Sequence, residues 1–150
     1  MSKSLRRVGI DWGSESHQVC RIDGEEEPKQ RSFPHTSEGL SALVAFVIEG
    51  EMDPEQIAIA IEVNHGAVVE ALLAKGLRVY SINPKLLDRL RDRFSMAGAK
   101  DDRRDAFVLA SCVESPEGRL RARMCRRSGG SSRATKEILG CKRRLGFVRM

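Results

Sequence analysis

The feature that most constrains the fold is an apolar run in the middle of the chain, Gln56–Glu62, whose interior is Ile-Ala-Ile-Ala-Ile. Half-exposed strands alternate apolar and polar residues, whereas a continuous apolar run is typical of a strand covered on both faces. Such a strand needs helices packed above and below its sheet. The run therefore predicts an α/β domain in which a carboxylate, Glu62, ends a buried strand.

A second buried strand is predicted near the start of the chain, over residues 7–11, and it ends on Asp11. Gly13 and Ser14 turn the backbone after it. Two further short strands are predicted over 17–22 and 29–33, on either side of an acidic turn. These three segments predict an antiparallel opening to the sheet.

Apolar residues at helical spacing predict four helices. We expect the first to begin with Ser37 as its N-cap and the second to span 66–75. The third starts at Asn83-Pro84, after a strand over 77–82. The fourth carries a buried stripe formed by Ala106, Leu109, Ala110 and Val113. The predicted fold is an α/β mixed sheet of element order βββαβαβα, followed by this last helix, with helices on both faces.

Two acidic residues, Asp102 and Asp105, stand three apart in the first turn of the last predicted helix. Side chains at this spacing share one helix face. Like charges so close repel each other unless a metal ion, a proton or a basic group lies between them. The alternative is an acidic turn that interacts only with the helix dipole and is neutralised by the flanking arginines.

Asp11 and Glu62 favour the metal-site interpretation of the Asp102/Asp105 turn over the helix-dipole interpretation. Both end predicted strands, and functional side chains are often found at strand ends. We expect both to face the Asp102/Asp105 turn across one cleft. Mg²⁺ prefers oxygen ligands and keeps open positions for water or phosphate oxygens. Two such ions can stabilise the attacking and leaving oxygens of a displacement at phosphorus. The four carboxylates therefore predict phosphodiester cleavage or transfer.

The basic character of the chain is concentrated in its last part. The net charge is +5, yet residues 119–150 alone hold eleven Lys and Arg against one acid. This part lacks a sustained apolar period, so we predict a domain over 1–115 and a basic, disordered or frame-shifted tail over 116–150. The chain starts without a signal-peptide core and has no run long enough to span a bilayer, which predicts a cytoplasmic protein without a membrane partner.

Neither the cysteines nor the histidines show the spacing of a metal site. The four cysteines lack the short paired spacing of zinc sites and are expected to be buried or incidental thiols. His17, His35 and His65 are scattered along the chain. The sequence gives little support to a metal site centred on histidine.

Several segments together resemble the N-terminal domain of DEDD-type transposases of the insertion-sequence one-ten family, which are related to the Piv/MooV DNA invertases. The resemblance covers roughly residues 6–113 and is far more specific than a single acid pair. It is carried by Val8–Asp11, Ile61–Glu62, Ser81–Pro84, Lys100–Ala106 and Leu109–Ala110.

The resemblance implies a RuvC-like, ribonuclease-H-type fold with a magnesium-dependent catalytic tetrad. The tetrad that it implies here is Asp11, Glu62, Asp102 and Asp105. It also implies DNA strand exchange during insertion-sequence transposition, a guide RNA as partner, and a homo-oligomer in the full-length family. Candidate phosphate contacts are then Lys85, Arg89, Arg93, Arg103 and Arg104.

The sequence departs from the family in two ways. Asp101 stands where the family usually has Thr, which adds a carboxylate beside the tetrad. Family members continue into a second domain that carries a serine nucleophile, and this chain stops before it. We therefore expect a truncated or decayed copy that is inactive in strand exchange by itself. No serine of the tail, such as Ser128, Ser131 or Ser132, has a warrant as the nucleophile.

Three alternative functions remain at this point. The first is a self-sufficient RuvC-like junction or RNA nuclease. The second is an ATP-binding fragment, because Gly9–Ser14 resembles the first phosphate loop of actin-like ATPases and sugar kinases. The third is an inert remnant that binds nucleic acid through its basic tail, with an affinity that falls at high salt.

Overall fold

A computed structural model describes residues 5–50, 53–63, 65–94, 102–113 and 123–125 of the chain. The strands are β1 (Arg6–Asp11), β2 (Ser16–Asp23), β3 (Lys29–Pro34), β4 (Ile57–Ile61), β5 (Arg78–Ser81) and β6 (Arg123–Met124). The helices are α1 (Ser37–Ile48), α2 (Ala67–Ala74), α3 (Pro84–Phe94) and α4 (Asp102–Cys112), and a 3-10 turn at Pro54–Gln56 precedes β4.

The six strands form one mixed sheet with the spatial order β3-β2-β1-β4-β5-β6. β1, β2 and β3 pair antiparallel, which confirms the predicted opening. β4 lies parallel to β1, and β5 lies parallel to β4. Parallel neighbours need crossover connections, and α1 and α2 supply them.

The central strand β4 is buried on both faces, as its apolar run predicts. Ile57, Ile59 and Ile61 pack in one core with residues of α1 and α2. Ala58 and Ala60, which alternate with them, pack in a second core with residues of α3 and α4. The helices therefore cover both faces of the sheet. With its antiparallel opening and parallel crossovers, the domain is an α/β domain built on a mixed sheet, the class that the sequence predicts.

Helix α4 lies directly on β1 because Gly9 places no side chain between the strand and the helix backbone. A Cβ atom added at Gly9 would lie 1.9 Å from the carbonyl oxygen of Ala106 and 2.4 Å from the amide nitrogen of Ala110. The predicted stripe of α4 is fully buried, with exposed fractions of 0% for Ala106, Leu109, Ala110 and Val113. Gly9 thus fixes the distance between the helix and the strand.

The start of α1 differs from the prediction by one residue. Thr36, rather than Ser37, is the N-cap, and its Oγ1 accepts a hydrogen bond of 3.0 Å from the amide of Gly39. Thr36 has the extended backbone of a cap residue, whereas Ser37 already belongs to the helix. The sequence Thr-Ser offers two cap hydroxyls in succession, and the backbone geometry selects the first.

The edge of the sheet takes residues from the segment that we predicted as a tail. Arg123–Met124 pairs antiparallel with β5, and Cys125 is buried in the core. The remainder of that segment, residues 116–122 and 126–150, lies outside the described residues. The division at residue 115 stays a prediction, although two residues beyond it form a strand of the sheet and a third is buried in the core.

The described cysteines behave as the sequence indicates. Cys20, Cys112 and Cys125 are free and buried, while Cys141 lies outside the described residues. Burial raises the pKa of Cys20 and of Cys112 to about 11, so both thiols stay protonated at neutral pH. Among the described helices, none is long and apolar enough to cross a membrane.

Candidate active site

Strands β1 and β4 deliver two carboxylates to the same edge of the sheet. Ile10 stands opposite Ile61 in the parallel pair, so the residues that follow them, Asp11 and Glu62, leave the sheet side by side. Side chains alternate between the faces of a strand. Asp11 therefore shares with Gly9 the face on which α4 lies, and both Asp11 and Glu62 are half-buried.

Helix α4 delivers the other two carboxylates from its first turn. Asp102 is exposed, whereas Asp105 is buried, with an exposed fraction of 4%. The contact between Gly9 and the Ala106 carbonyl brings this turn towards the end of β1. One face of α4 is thus acidic in the first turn, at Asp102 and Asp105, and apolar in the turns that follow.

The four carboxylates influence one another at Asp11. Burial raises the pKa of Asp11 most, followed by the negative charges of Asp105, Asp102 and Glu62 and by a side-chain hydrogen bond with Asp102. Together they raise its pKa to about 7. A proton on Asp11 therefore does at neutral pH what a bound cation would do, because it relieves the repulsion between neighbouring carboxylates.

The donor set suits a hard divalent cation, since every candidate ligand is a carboxylate oxygen and, among the described residues, only burial and other carboxylates shift the pKa of Asp11. The four carboxylates lie close enough to interact, but their side chains do not already surround a common metal position. Across the ranges that the structure describes, no three His, Cys, Asp or Glu side chains already form a metal-binding group.

Asp105 has a cationic partner that the sequence did not reveal. Arg91 of α3 donates from Nε to Oδ1 and from Nη2 to Oδ2 of Asp105, each at 2.8 Å. Its third nitrogen, Nη1, donates to Oδ1 of Asp88 at 2.6 Å. These hydrogen bonds, chiefly that with Asp105, raise the pKa of Arg91. The sequence places several basic residues on α3, and only the packing of α3 on α4 selects Arg91.

Two of the three histidines that are scattered in sequence, His17 and His35, meet beside the turn that follows Asp11. His17 is fully buried, its Nδ1 accepts a hydrogen bond from the amide of Gly13 at 3.3 Å, and its Nε2 lies 2.9 Å from Nδ1 of His35. Nε2 of neutral His17 therefore carries the proton that it donates to His35. Trp12 stacks on His17, with ring centroids 4.2 Å apart. This cluster fixes the turn that follows Asp11.

The predicted nucleic-acid contacts lie on the two helices that also carry Arg91 and Asp105. Lys85, Arg89 and Arg93 are exposed on α3, and Arg103 and Arg104 are exposed in the first turn of α4. The backbone carbonyl of Arg103 accepts a hydrogen bond from Gln30 of β3. Asp101 and the serines of the tail lie outside the described residues.

A family model of transposases, DEDD_Tnp_IS110, matches residues 8–124. The chain belongs to the IS110 family of DEDD transposases. The match begins within β1 and ends at the last residue of β6, so it reaches all six described strands and includes every residue of the carboxylate cluster.

Two curated relatives agree with this family. The y4uE protein of Sinorhizobium fredii, which is named as a transposase, is 50% identical over 109 residues, or 71% of this chain and 30% of its own length. The mini-circle protein of Streptomyces coelicolor, named as the transposase for IS117, is 35% identical over 108 residues, or 70% of this chain and 26% of its own length. The IS110 chain thus spans less than a third of either relative.

Two solved structures of Thermus thermophilus RuvC are similar to this chain. The first has a TM-score of 0.49 and 17% identity and covers 80% of this chain and 99% of its own. The second, in complex with a Holliday junction substrate, has a TM-score of 0.47 and 14% identity and covers 71% and 90%.

Proposed function

We propose that this chain is the RuvC-like domain of an IS110 transposase and that its carboxylate cluster binds Mg²⁺ for DNA strand cleavage and exchange. The observation that carries the proposal is the convergence of Asp102, Asp105 and Glu62 on Asp11. Like-charged groups at strand ends and at a helix start cost stability unless a cation is gained. Membership of a transposase family supplies the reaction class.

In this proposal all four carboxylates, Asp11, Glu62, Asp102 and Asp105, hold the metal. A bound divalent ion supplies positive charge at the scissile phosphate and lowers the pKa of coordinated water. To bind the ion, Asp11 would release its proton to solvent, because only the ionised carboxylate is a good ligand. Four carboxylates provide enough oxygen ligands for the two ions that we predict from the sequence.

The exposed basic residues of α3 and α4 are the proposed contacts to phosphate groups of DNA and of a guide RNA. Such contacts position a nucleic acid without selecting its sequence. Both helices pack on the face of the sheet towards which Gly9 and Asp11 point, so a strand held there can reach the carboxylates. The residues proposed are Lys85, Arg89, Arg93, Arg103 and Arg104.

Complete strand exchange belongs, in this proposal, to the whole transposase. The chain spans less than a third of its relatives, and the serine nucleophile that the family resemblance implies is assigned to none of its residues. This part contributes the metal site and part of the nucleic-acid surface. Homo-oligomerisation and a cytoplasmic location stay predictions. Family membership supports this reaction class over the ATP-binding alternative.

A magnesium titration followed by the fluorescence of Trp12 tests the metal site. Trp12 is the single tryptophan and directly follows Asp11, so its emission reports changes at the cluster. We expect a saturable response in the wild type that is lost in Asp11→Asn and in Asp102→Asn. Glu27→Gln, which removes an exposed carboxylate from the β2–β3 turn, is the matched control and should respond like the wild type. Equal responses from all four proteins would refute the metal site.

A further inference from the structure

The pair formed by Arg91 and Asp105 differs from the other ion pair of Arg91. The Asp105 side chain is 5% exposed and accepts two parallel hydrogen bonds, whereas the Asp88 side chain is 68% exposed and accepts one. Bidentate pairs between arginine and a carboxylate are among the strongest hydrogen-bonded contacts in proteins. Arg91 therefore bridges the buried carboxylate of Asp105 and the exposed carboxylate of Asp88. Its interaction with Asp105 is the stronger of the two because it is bidentate and buried.

The Asp105 carboxylate interacts with two groups at once, the Arg91 guanidinium and the Asp11 carboxyl. Its oxygens accept from Arg91, and its charge also acts on Asp11 across the cluster. A carboxylate has lone pairs beyond the two that a bidentate arginine uses, but the guanidinium charge next to them repels any second cation. A divalent ion that approaches Asp11 and Asp105 therefore competes with Arg91 for the same anion.

We propose that Arg91 is the resident counter-cation of Asp105 and that a divalent ion entering the carboxylate cluster displaces it, leaving the guanidinium held by Asp88. This inference rests on the metal site of the proposed function. Arg91 is a positioning residue in this scheme: it holds the Asp105 side chain before the ion arrives and sets the metal concentration at which the site fills.

The position of Arg91 on α3 distinguishes it from the other basic residues of that helix. Lys85, Arg89 and Arg93 are exposed, whereas the Arg91 side chain is only 29% exposed and turns towards α4. Removing Arg91 leaves a buried carboxylate without its partner, which destabilises a protein strongly. A divalent ion can restore that partner, so the stability of an Arg91 variant should depend on metal more than that of the wild type.

The test is Mn²⁺ binding by calorimetry, with thermal melts, on the full chain. Arg91→Met should bind Mn²⁺ about tenfold more tightly than the wild type, because one repelling charge is removed. Arg91→Lys keeps the charge but not the bidentate geometry and should lie between them. Lys75→Met removes one exposed positive charge elsewhere and should bind like the wild type.

If Arg91→Met is too unstable for calorimetry, thermal melts with and without Mn²⁺ still test the inference. Without metal its melting temperature should fall below that of the wild type, and Mn²⁺ should close most of the gap. Unchanged or weaker Mn²⁺ affinity in folded Arg91→Met, or a stability gap that Mn²⁺ leaves open, would overturn the inference.

Asp11→Asn separates this inference from the proposed function. If Asp11→Asn binds Mn²⁺ like the wild type, the metal site of the proposed function is wrong. If Asp11→Asn loses the ion while Arg91→Met and the wild type bind it equally, only the role of Arg91 is wrong.

Discussion

Ile10 and Ile61 face each other across the parallel β1–β4 pair, and this register places the carboxylates that follow them at one edge of the sheet. A shift of one residue would turn every side chain of β1 to the opposite face. Asp11 would then face the α1 and α2 core instead of α4. The candidate site is thus a consequence of strand register, which the apolar side chains of both strands enforce.

Gly9→Ala should destabilise the domain by about 2 to 3 kcal/mol. The added Cβ would overlap backbone atoms of α4, and the helix can relieve the overlap only by moving away from the strand. Urea unfolding followed by circular dichroism measures the loss. Gly76→Ala is the matched control: nothing lies within 4 Å of its Cβ position, and its φ of +75° alone costs about 1 kcal/mol. Similar losses in the two variants would show that α4 does not rest on Gly9.

His17→Phe keeps an aromatic ring beside Trp12 but removes the acceptor for the Gly13 amide and the hydrogen bond to His35. The loss should be about 1 to 3 kcal/mol at pH 7.5. The exposed His65→Phe serves as control and should change stability less. A His17→Phe protein as stable as the wild type would mean that this cluster does not hold the turn after Asp11.

The same variant should alter the acid limb of the stability profile. Burial, and then His35, lowers the pKa of His17 below its ordinary 6.5, so the fold favours the neutral ring. Its contribution is complete above pH 6.5 and is lost as the pH falls towards the folded-state pKa. Urea midpoints between pH 7.5 and pH 5 should therefore fall more steeply in the wild type than in His17→Phe.

Asp11→Asn should show the opposite pH dependence. The folded-state pKa of Asp11, about 7, lies above its ordinary 3.8, so its contribution is present below about pH 4 and is lost as the pH rises through 7. In metal-free buffer, Asp11→Asn should match the wild type near pH 4 and exceed it by about 1 to 2 kcal/mol at pH 8, after solvent screening is allowed for. A constant difference across that range would contradict the crowding of carboxylates at Asp11.

Periodicity predicts the parts of this site that depend on regular structure. The apolar run before Glu62 and the buried stripe of α4 place three of the four carboxylates on definite elements, and the strand before Asp11 places the fourth. Periodicity does not predict which side chains from distant parts of the sequence pair with each other. Any of several arginines could reach Asp105, and β2–β3 pairing brings His17 and His35 together, 18 residues apart. Such pairings depend on packing angles that a single sequence does not record.

Nucleic-acid binding should depend on α3 and persist without the basic tail. Arg89→Gln should weaken binding to duplex DNA and reduce the slope of log K against log salt by about 1, if Arg89 contacts one phosphate. Deletion of residues 126–150, which retains β6, should weaken the binding but leave it measurable by fluorescence anisotropy. Complete loss on deletion, with Arg89→Gln equal to the wild type, would favour the inert remnant that binds through its tail.

The most direct test of the central claim is anomalous diffraction from crystals of the chain soaked in Mn²⁺. The carboxylate cluster predicts an anomalous peak bounded by Asp11, Glu62, Asp102 and Asp105, and no such peak in Asp11→Asn crystals soaked identically. A wild-type crystal that binds Mn²⁺ only elsewhere, or an undiminished peak at the cluster in Asp11→Asn, would contradict the proposal that these four residues form the metal site.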